Sequence, residues 1–253
     1  MMASMLVTSS TCDPNDVGNK SWSIPWLLTL TMLAGMLSAL IIQAIDPVFQ
    51  MPSDIGPWPF QPSQEYLDRY YAASSWMISR NYAVYFSVLG AFVGLTLGTV
   101  GSKHIRFVSI IGAASGGAGL GGIGGYLVGL MTSALLQHGG EPINLLGVSV
   151  EPIVQTAGLQ CLAWSFVGLG IGVGWSAGQW RSGTIAQVIG SGLIGGIAAG
   201  LVYTLISAIV FSDSNAVMIV PRTVMERILW SCACSACVGV GFQRLSLRAP
   251  KLQ

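Results

Sequence analysis

The segment from Phe107 to Leu136 runs for about thirty residues without a charged side chain. Glycine stands at every fourth position over part of it, at Gly117, Gly121, Gly125 and Gly129. Because roughly 18 or more uncharged apolar residues can cross a hydrocarbon core about 30 Å thick, the segment predicts a membrane-spanning helix. Small residues four positions apart let a second helix approach closely, as helices do in lipid. The segment therefore predicts a helix that packs tightly inside a membrane.

The whole chain has the composition of a membrane protein. Of its 253 residues, 52% are hydrophobic, 8% are charged and 33 are glycine, whereas soluble domains have about 25% charged residues. We predict an all-α polytopic protein with six transmembrane helices, four of which form two similar glycine-rich hairpins. In order, the predicted segments are a disordered cytoplasmic tail (1–25), the first transmembrane helix (26–45), a Pro-rich and interfacial outer segment (46–82), hairpin one (83–136), an outer loop (137–152), hairpin two (153–211), a second outer loop (212–227), the sixth transmembrane helix (228–242) and a basic cytoplasmic tail (243–253).

The basic residues of the predicted loops indicate the orientation, because Lys and Arg favour cytoplasmic loops. With the N-terminus inside, the cytoplasmic residues are Lys20, Lys103, Arg106, Arg181, Arg244, Arg248 and Lys251. The smaller set on the opposite side is Arg69, Arg80, Arg222 and Arg227. We therefore predict that both termini are cytoplasmic, in a bacterial cytoplasmic membrane.

The second to fifth predicted helices look like two copies of one hairpin. A shift of 78 residues places Gly90 on Gly168 in the first helices and Gly117 on Gly195 in the second helices. Each unit contains two helices, so both copies keep the same orientation in the membrane, which is a parallel repeat. The pattern predicts an internal duplication.

The sixth predicted helix looks like half of a further copy whose second helix is missing. Its Trp230 and Ser231 match Trp164 and Ser165. A Trp-Ser or Tyr-Phe-Ser motif, a Gly-x-x-x-Gly step, a short basic turn and a Gly-Gly-rich return helix recur between Asn81 and Gly241. This pattern resembles a loose group of bacterial glycine-zipper hairpin membrane proteins of unassigned function. The resemblance implies a membrane location and no particular activity.

Twelve glycines are the candidate helix-packing residues. They are Gly90, Gly94, Gly98, Gly117, Gly121, Gly125, Gly129, Gly168, Gly172, Gly192, Gly196 and Gly200. One interpretation is internal packing of a compact bundle. The other is that one glycine face stays free for self-association, or serves a channel whose helices slide on smooth backbone surfaces.

The predicted spans contain no Asp, Glu, Lys, Arg or His. Pumps, proton-coupled carriers and voltage sensors need such side chains, so these classes are disfavoured, while a passive pore stays open. The sequence has no paired nucleophile and base, no phosphate-binding loop and no zinc-protease helix. We predict no enzyme activity and no cofactor. Without a basic surface, we also predict no nucleic-acid partner.

Three cysteines of the sixth predicted helix, Cys232, Cys234 and Cys237, have metal-ligand chemistry. At 100° per residue Cys234 and Cys237 lie about 60° apart, so these two are the weak metal candidates. Structural zinc takes four ligands, and His104 and His138 fall in loops on opposite sides of the membrane. Because cysteine also packs well as a small apolar residue, we predict packing roles and no metal site.

The outer segment before the second helix is Pro-rich and aromatic. Ser63 can cap a helix in which Tyr66, Tyr70 and Trp76 follow at helical spacings. This interfacial helix either lines the water boundary or docks a partner. As a whole, the sequence favours a structural or assembly component, embedded in the lipid bilayer and associated with itself or with another membrane protein. The alternative is a passive channel or small-solute transporter.

Overall fold

The computed structural model describes residues 24–56, 59–100, 107–137, 143–145, 148–177, 182–210 and 219–246. Across these residues the chain forms six α-helices and two short strands: α1 (Ile24–Ile45), α2 (Gln64–Val100), α3 (Phe107–Gln137), β1 (Ile143–Leu145), β2 (Val148–Val150), α4 (Pro152–Ala177), α5 (Ser182–Val210) and α6 (Val224–Ser246). All six helices are long and apolar enough to cross a membrane. The predicted all-α polytopic fold is confirmed. Most of the predicted tails and of the two basic turns lies outside the described residues.

One helix, α2, joins two predicted segments. It runs without a break from Gln64 to Val100, so the predicted boundary at 82/83 falls inside it. Ser63 caps α2 as predicted, because its Oγ accepts a hydrogen bond from the Tyr66 N–H at 3.2 Å. At 1.5 Å per residue the helix is roughly 55 Å long, well beyond a hydrocarbon core of about 30 Å. α2 is therefore longer than a helix needs to be to cross a hydrocarbon core.

Both predicted outer loops contain more regular structure than expected. In the first, β1 and β2 pair antiparallel. In the second, α6 already begins at Val224. Thr223 and Glu226 form a capping box there, since each side chain accepts a hydrogen bond from the backbone N–H of the other residue. Glu226 and Arg227 therefore lie within α6, and the prediction that no span contains an ionisable side chain is wrong.

The six helices form a closed ring of neighbours. The contacts run from α1 to α2, α3, α4, α5 and α6 in turn, and α6 packs back against α1. Because α2 also contacts α4 and α6, we call α2, α4 and α6 the inner helices and α1, α3 and α5 the outer helices. The inner helices begin, and the outer helices end, at the end of the bundle where Asp46, Glu65 and Glu226 lie. We call this the acidic end and the opposite one the basic end.

Candidate functional site

The pair of α2 and α3 is held by contacts between glycines and main chain. Gly90 of α2 and Gly117 of α3 face each other, and a Cβ atom on either would overlap the other's carbonyl group. A Cβ on Gly121 would lie 2.6 Å from the Phe86 carbonyl oxygen. Real Cβ atoms essentially never come so close. Glycine is therefore what lets the two antiparallel backbones approach to this distance.

The pair of α4 and α5 repeats this arrangement in a different register. Gly168 of α4 faces Gly192 of α5. In the first helices of the two pairs, Gly90 corresponds to Gly168 at the predicted shift of 78 residues. In the second helices, Gly117 corresponds to Gly192, which is a shift of 75 residues. The reason is that 27 residues separate the facing glycines in the first pair and 24 in the second. The predicted equivalence of Gly117 with Gly195 is wrong by about one helical turn.

All twelve candidate glycines meet the backbone of a neighbouring helix. A Cβ on any of them would come within 3.0 Å of a main-chain atom across the interface. Gly112 and Gly116 of α3 make similar contacts with Gly174 and Gly170 of α4, which joins the two pairs. The described helical glycines that meet nothing within 4 Å are Gly119, Gly158 and Gly190. The bundle thus uses its glycine faces internally.

A third pair is made by the first and last helices. The packing of α1 against α6 supplies the second helix that the predicted half copy lacks. Gly35 of α1 lies against the backbone of Ser231, and Gly239 of α6 lies against the side chain of Thr31. The described helices therefore form three antiparallel pairs around one axis, and the third pair joins distant parts of the chain.

Three aromatic side chains meet on this axis, one from each inner helix. The rings of Phe86, Trp164 and Trp230 have centroids 5.5 to 5.9 Å apart and are arranged edge to face. All three side chains are fully buried. Phe86 and Trp164 are 78 residues apart, like the glycines of their helices, so they occupy equivalent positions. We call these three residues the aromatic triad.

Further buried layers fill the axis from the triad toward the basic end. They follow at steps of about one helical turn and consist of Leu89, Val167 and Cys234, then Val93, Ile171 and Val238, then Leu97, Trp175 and Phe242. All of these side chains belong to one buried cluster with the triad. The described layers therefore close the axis with apolar side chains.

Toward the acidic end, a segment of main chain joins the same cluster. The segment Ile219–Pro221, which we call the plug, is buried between the inner helices. Gln160 of α4 donates a hydrogen bond from Nε2 to its first carbonyl at 2.5 Å. Arg227 of α6 donates one from Nε to its last carbonyl at 2.6 Å. Gln160 and Arg227 therefore hold the plug from two of the inner helices.

The guanidinium of Arg227 also joins α6 to α1. Its Nη1 donates to Gln43 Oε1 at 3.1 Å, and its Nη2 forms an ion pair with Asp46. The Tyr85 hydroxyl donates to the same carboxylate. Arg227 is only 6% exposed, and a buried guanidinium without a paired carboxylate is costly. The carboxylate of Asp46 is therefore what stabilises Arg227 inside the bundle.

The structure corrects the prediction that Arg227 belongs to an outer loop, because this residue lies in α6. Asp46 lies directly after α1, in the predicted outer segment, and its carboxylate pairs with Arg227. One signal in the sequence locates Arg227: it stands three residues before Trp230, as Gln160 stands four residues before Trp164. Residues three or four apart share a helix face, so both side chains lie one turn from the triad. No comparable signal points to Asp46.

The three cysteines of α6 have different neighbours. Cys232 Sγ lies 3.3 Å from the Met32 carbonyl oxygen of α1, and Cys234 Sγ lies 3.5 Å from the Ala199 carbonyl oxygen of α5. Cys237 is half-buried. Across the part of the chain that the structure describes, no three His, Cys, Asp or Glu residues are grouped to hold a metal ion. Cys234 is fully buried against α5, which fits the predicted packing role of this residue.

No protein-family model, no curated protein and no solved structure matches this chain. The function therefore has to be argued from the bundle itself.

Proposed function

We propose that this protein is a non-enzymatic structural or assembly component that contacts another membrane protein at the acidic end of its bundle. The proposal rests on the difference between the glycine faces of the bundle and the first part of α2. The glycine faces pack internally and the axis is filled. The first part of α2, in contrast, extends past its neighbour and carries partly exposed aromatic side chains. We call this part, Gln64–Ile78, the arm.

The arm extends beyond the end of α3. Ser75 of the arm receives a hydrogen bond from Ser133 of α3 at 2.9 Å. Only four more residues follow in α3, which ends at Gln137. In an antiparallel pair the end of α3 therefore lies beside residue 71, and the first two turns of α2 have no turn of α3 next to them.

Aromatic side chains lie on the arm and just before it. Tyr66 and Tyr70 stack with their ring centroids 6.3 Å apart, Trp76 is 39% exposed and Phe60 is 99% exposed. The Arg80 guanidinium lies 4.5 Å from the centre of the Trp76 ring. Tyrosine, tryptophan and arginine are the residues enriched in protein interfaces. Tyrosine and tryptophan also favour the membrane boundary, so a test has to separate protein contact from lipid contact.

Photo-crosslinking separates the two. Benzoylphenylalanine is placed at Tyr70 or Phe60, and as a control at Leu201, which is 49% exposed on α5. In native membranes we expect both outer positions to crosslink to one membrane protein that also copurifies with the unmodified chain. The control position should give no such product. Lipid adducts alone at all three positions would contradict the proposal.

A small-solute transporter is the second candidate function. The buried ion pair of Arg227 and Asp46 favours it, since ionisable groups inside a spanning bundle often belong to a transport path. The aromatic triad closes the axis, so Phe86→Ala should then raise the permeability of reconstituted vesicles to the transported solute. Unchanged permeability to a panel of ions and neutral solutes, for the wild type and the variant alike, would remove this candidate.

A further inference from the structure

We propose that the acidic end of the bundle is a binding site for a peptide segment, and that the plug of this same chain occupies the site in the structure. The inference rests on the proposed function, because it gives the chemistry of the partner segment. That segment has apolar side chains followed by proline, as the plug has in Ile219–Pro221.

The plug is held as a peptide ligand is held. Gln160 and Arg227 come from two different helices, and both bond to its main chain. Every peptide has such carbonyl and amide groups, so these bonds do not depend on the side chains of the plug. The charge of Arg227 is balanced by Asp46, which suits an uncharged main chain. The apolar side chains of the plug join the buried cluster.

The plug differs from the other described layers of the axis in its polar contacts. Those layers consist of aromatic and aliphatic side chains, whose exposure to water costs free energy in proportion to their area. Departure of the plug exposes the apolar side chains of Ile219 and Val220 as well, but water can satisfy the polar groups of Gln160 and Arg227 that it leaves. A second peptide with apolar side chains covers the same area again, so we expect one segment to exchange for the other at this end.

The indole of Trp164, one turn from Gln160 on α4, is a buried donor without an acceptor. This side chain is fully buried, and its Nε1 has no hydrogen-bond partner in the described part of the chain. Its neighbour Trp230 donates its own Nε1–H to Gln160 at 3.2 Å. A buried tryptophan N–H ordinarily finds an acceptor. A partner peptide would bring further carbonyl groups, one of which could accept from Trp164.

A labelling experiment on the full chain in nanodiscs tests the proposal. Val220→Cys is introduced after replacing the five native cysteines by serine or alanine. The reaction rate of the new thiol with a membrane-impermeant maleimide then reports how often the plug leaves its site. The probe is a capped synthetic peptide with the sequence of residues 218–222, Met-Ile-Val-Pro-Arg. We expect saturating peptide to raise the rate about tenfold, and a scrambled peptide to leave it unchanged.

Gln160→Leu in the same background is the control, because it removes one bond to the plug and is expected to raise the rate without peptide. If Gln160→Leu raises the rate and the peptide does not, the plug moves but the site is no peptide site, and the proposal is overturned. If neither raises it, the plug is a fixed part of the core, and the proposal is overturned as well. Crosslinking from Tyr70 does not depend on the plug, so failure of this proposal and failure of the proposed function are separate results.

Discussion

The α2–α3 pair and the α6–α1 pair are held together in different ways. In α2–α3 the glycines bring two main chains together, and a Cβ at Gly121 would lie 2.6 Å from a carbonyl oxygen of α2. In α6–α1 side chains provide much of the contact, with Thr31 against Gly239 and an ion pair between Arg227 and Asp46. Close main-chain contact gains dispersion energy but needs glycine at each contact. A polar contact accepts larger side chains, but it leaves a buried charge when one partner is lost.

The two pairs also differ in how far apart their helices lie along the chain. Six residues separate the end of α2 from the start of α3 in the sequence, whereas α1 and α6 lie far apart. Closing so long a loop costs only about 0.6 kcal/mol more for each doubling of its length. Among the described residues, the ion pair between separate helical segments is that of Arg227 in α6 with Asp46, directly after α1. The comparison predicts that the glycine pair is sensitive to added volume and the distant pair to loss of a polar partner.

The largest effect is expected from added volume in α3. Gly121→Leu forces α2 and α3 apart and should lower the free energy of unfolding by about 4 kcal/mol, beyond the usual range for overpacking. A Cβ on Gly119 of the same helix meets no atom within 4 Å, and Gly119 is exposed, so Gly119→Leu should change the free energy of unfolding by less than about 0.5 kcal/mol. Unfolding in detergent, followed by tryptophan fluorescence, measures both. Equal losses in the two variants would show that the two glycines have the same environment.

Loss of a polar partner is expected to come next, in α6–α1. Arg227→Met leaves Asp46 without its cation and should cost about 3 kcal/mol. The double variant Arg227→Met with Asp46→Leu removes both charges and should recover most of this loss. A double-mutant cycle on the free energy of unfolding measures the coupling. Additive losses would mean that the two side chains do not stabilise each other.

A smaller loss is expected from Gln160→Leu at the plug. It removes the acceptor of the Trp230 N–H and the donor to the first plug carbonyl, and so leaves two buried groups unpaired. We expect a cost of about 2 kcal/mol in the free energy of unfolding. Gln187→Leu is the control, because Gln187 is an exposed glutamine on α5. A stable Gln160→Leu variant would indicate that the plug is held by its apolar side chains alone.

The smallest effect is expected where glycine meets a side chain. Gly239→Ala needs a shift of the Thr31 side chain and should cost about 1 kcal/mol. Gly192→Ala instead meets the main chain of Gly168 and should cost more. The difference between their thermal unfolding midpoints measures this contrast directly. Equal midpoints would mean that a side-chain neighbour and a main-chain neighbour tolerate an added methyl group equally.

The features that follow from local pattern were accessible from the sequence. Long uncharged runs predict the six spans, and the cap at Ser63 predicts where α2 begins. The spacing of glycines indicates which face of a helix can meet a neighbour. It does not fix the register, because Gly192 and Gly195 stand on successive turns and either could face Gly168. The contacts select Gly192.

The polar cluster was not accessible, for a physical reason. The pairing of Arg227 with Asp46 joins residues at opposite ends of the chain, and neither local periodicity nor helix spacing reports such contacts. The plug has no periodic pattern because it is bound through its main chain. The early start of α6 moves Arg227 from a predicted loop into a helix. One additional helical turn at the start of α6 therefore buries the Arg227 charge, which the sequence predicted to be solvated.

The central claim is that α1 completes the ring by packing on α6 of the same chain, and an engineered disulfide tests it most directly. The Thr31 Cβ would lie 3.4 Å from a Cβ on Gly239, close to the mean of about 3.8 Å in disulfides. In a chain without native cysteines, Thr31→Cys with Gly239→Cys is expected to form an intrachain disulfide under mild oxidation, detected by peptide mass mapping of the monomer. Thr29→Cys with Gly239→Cys, from the exposed side of α1, should not. A disulfide found only between two chains, or none at all, would contradict the account.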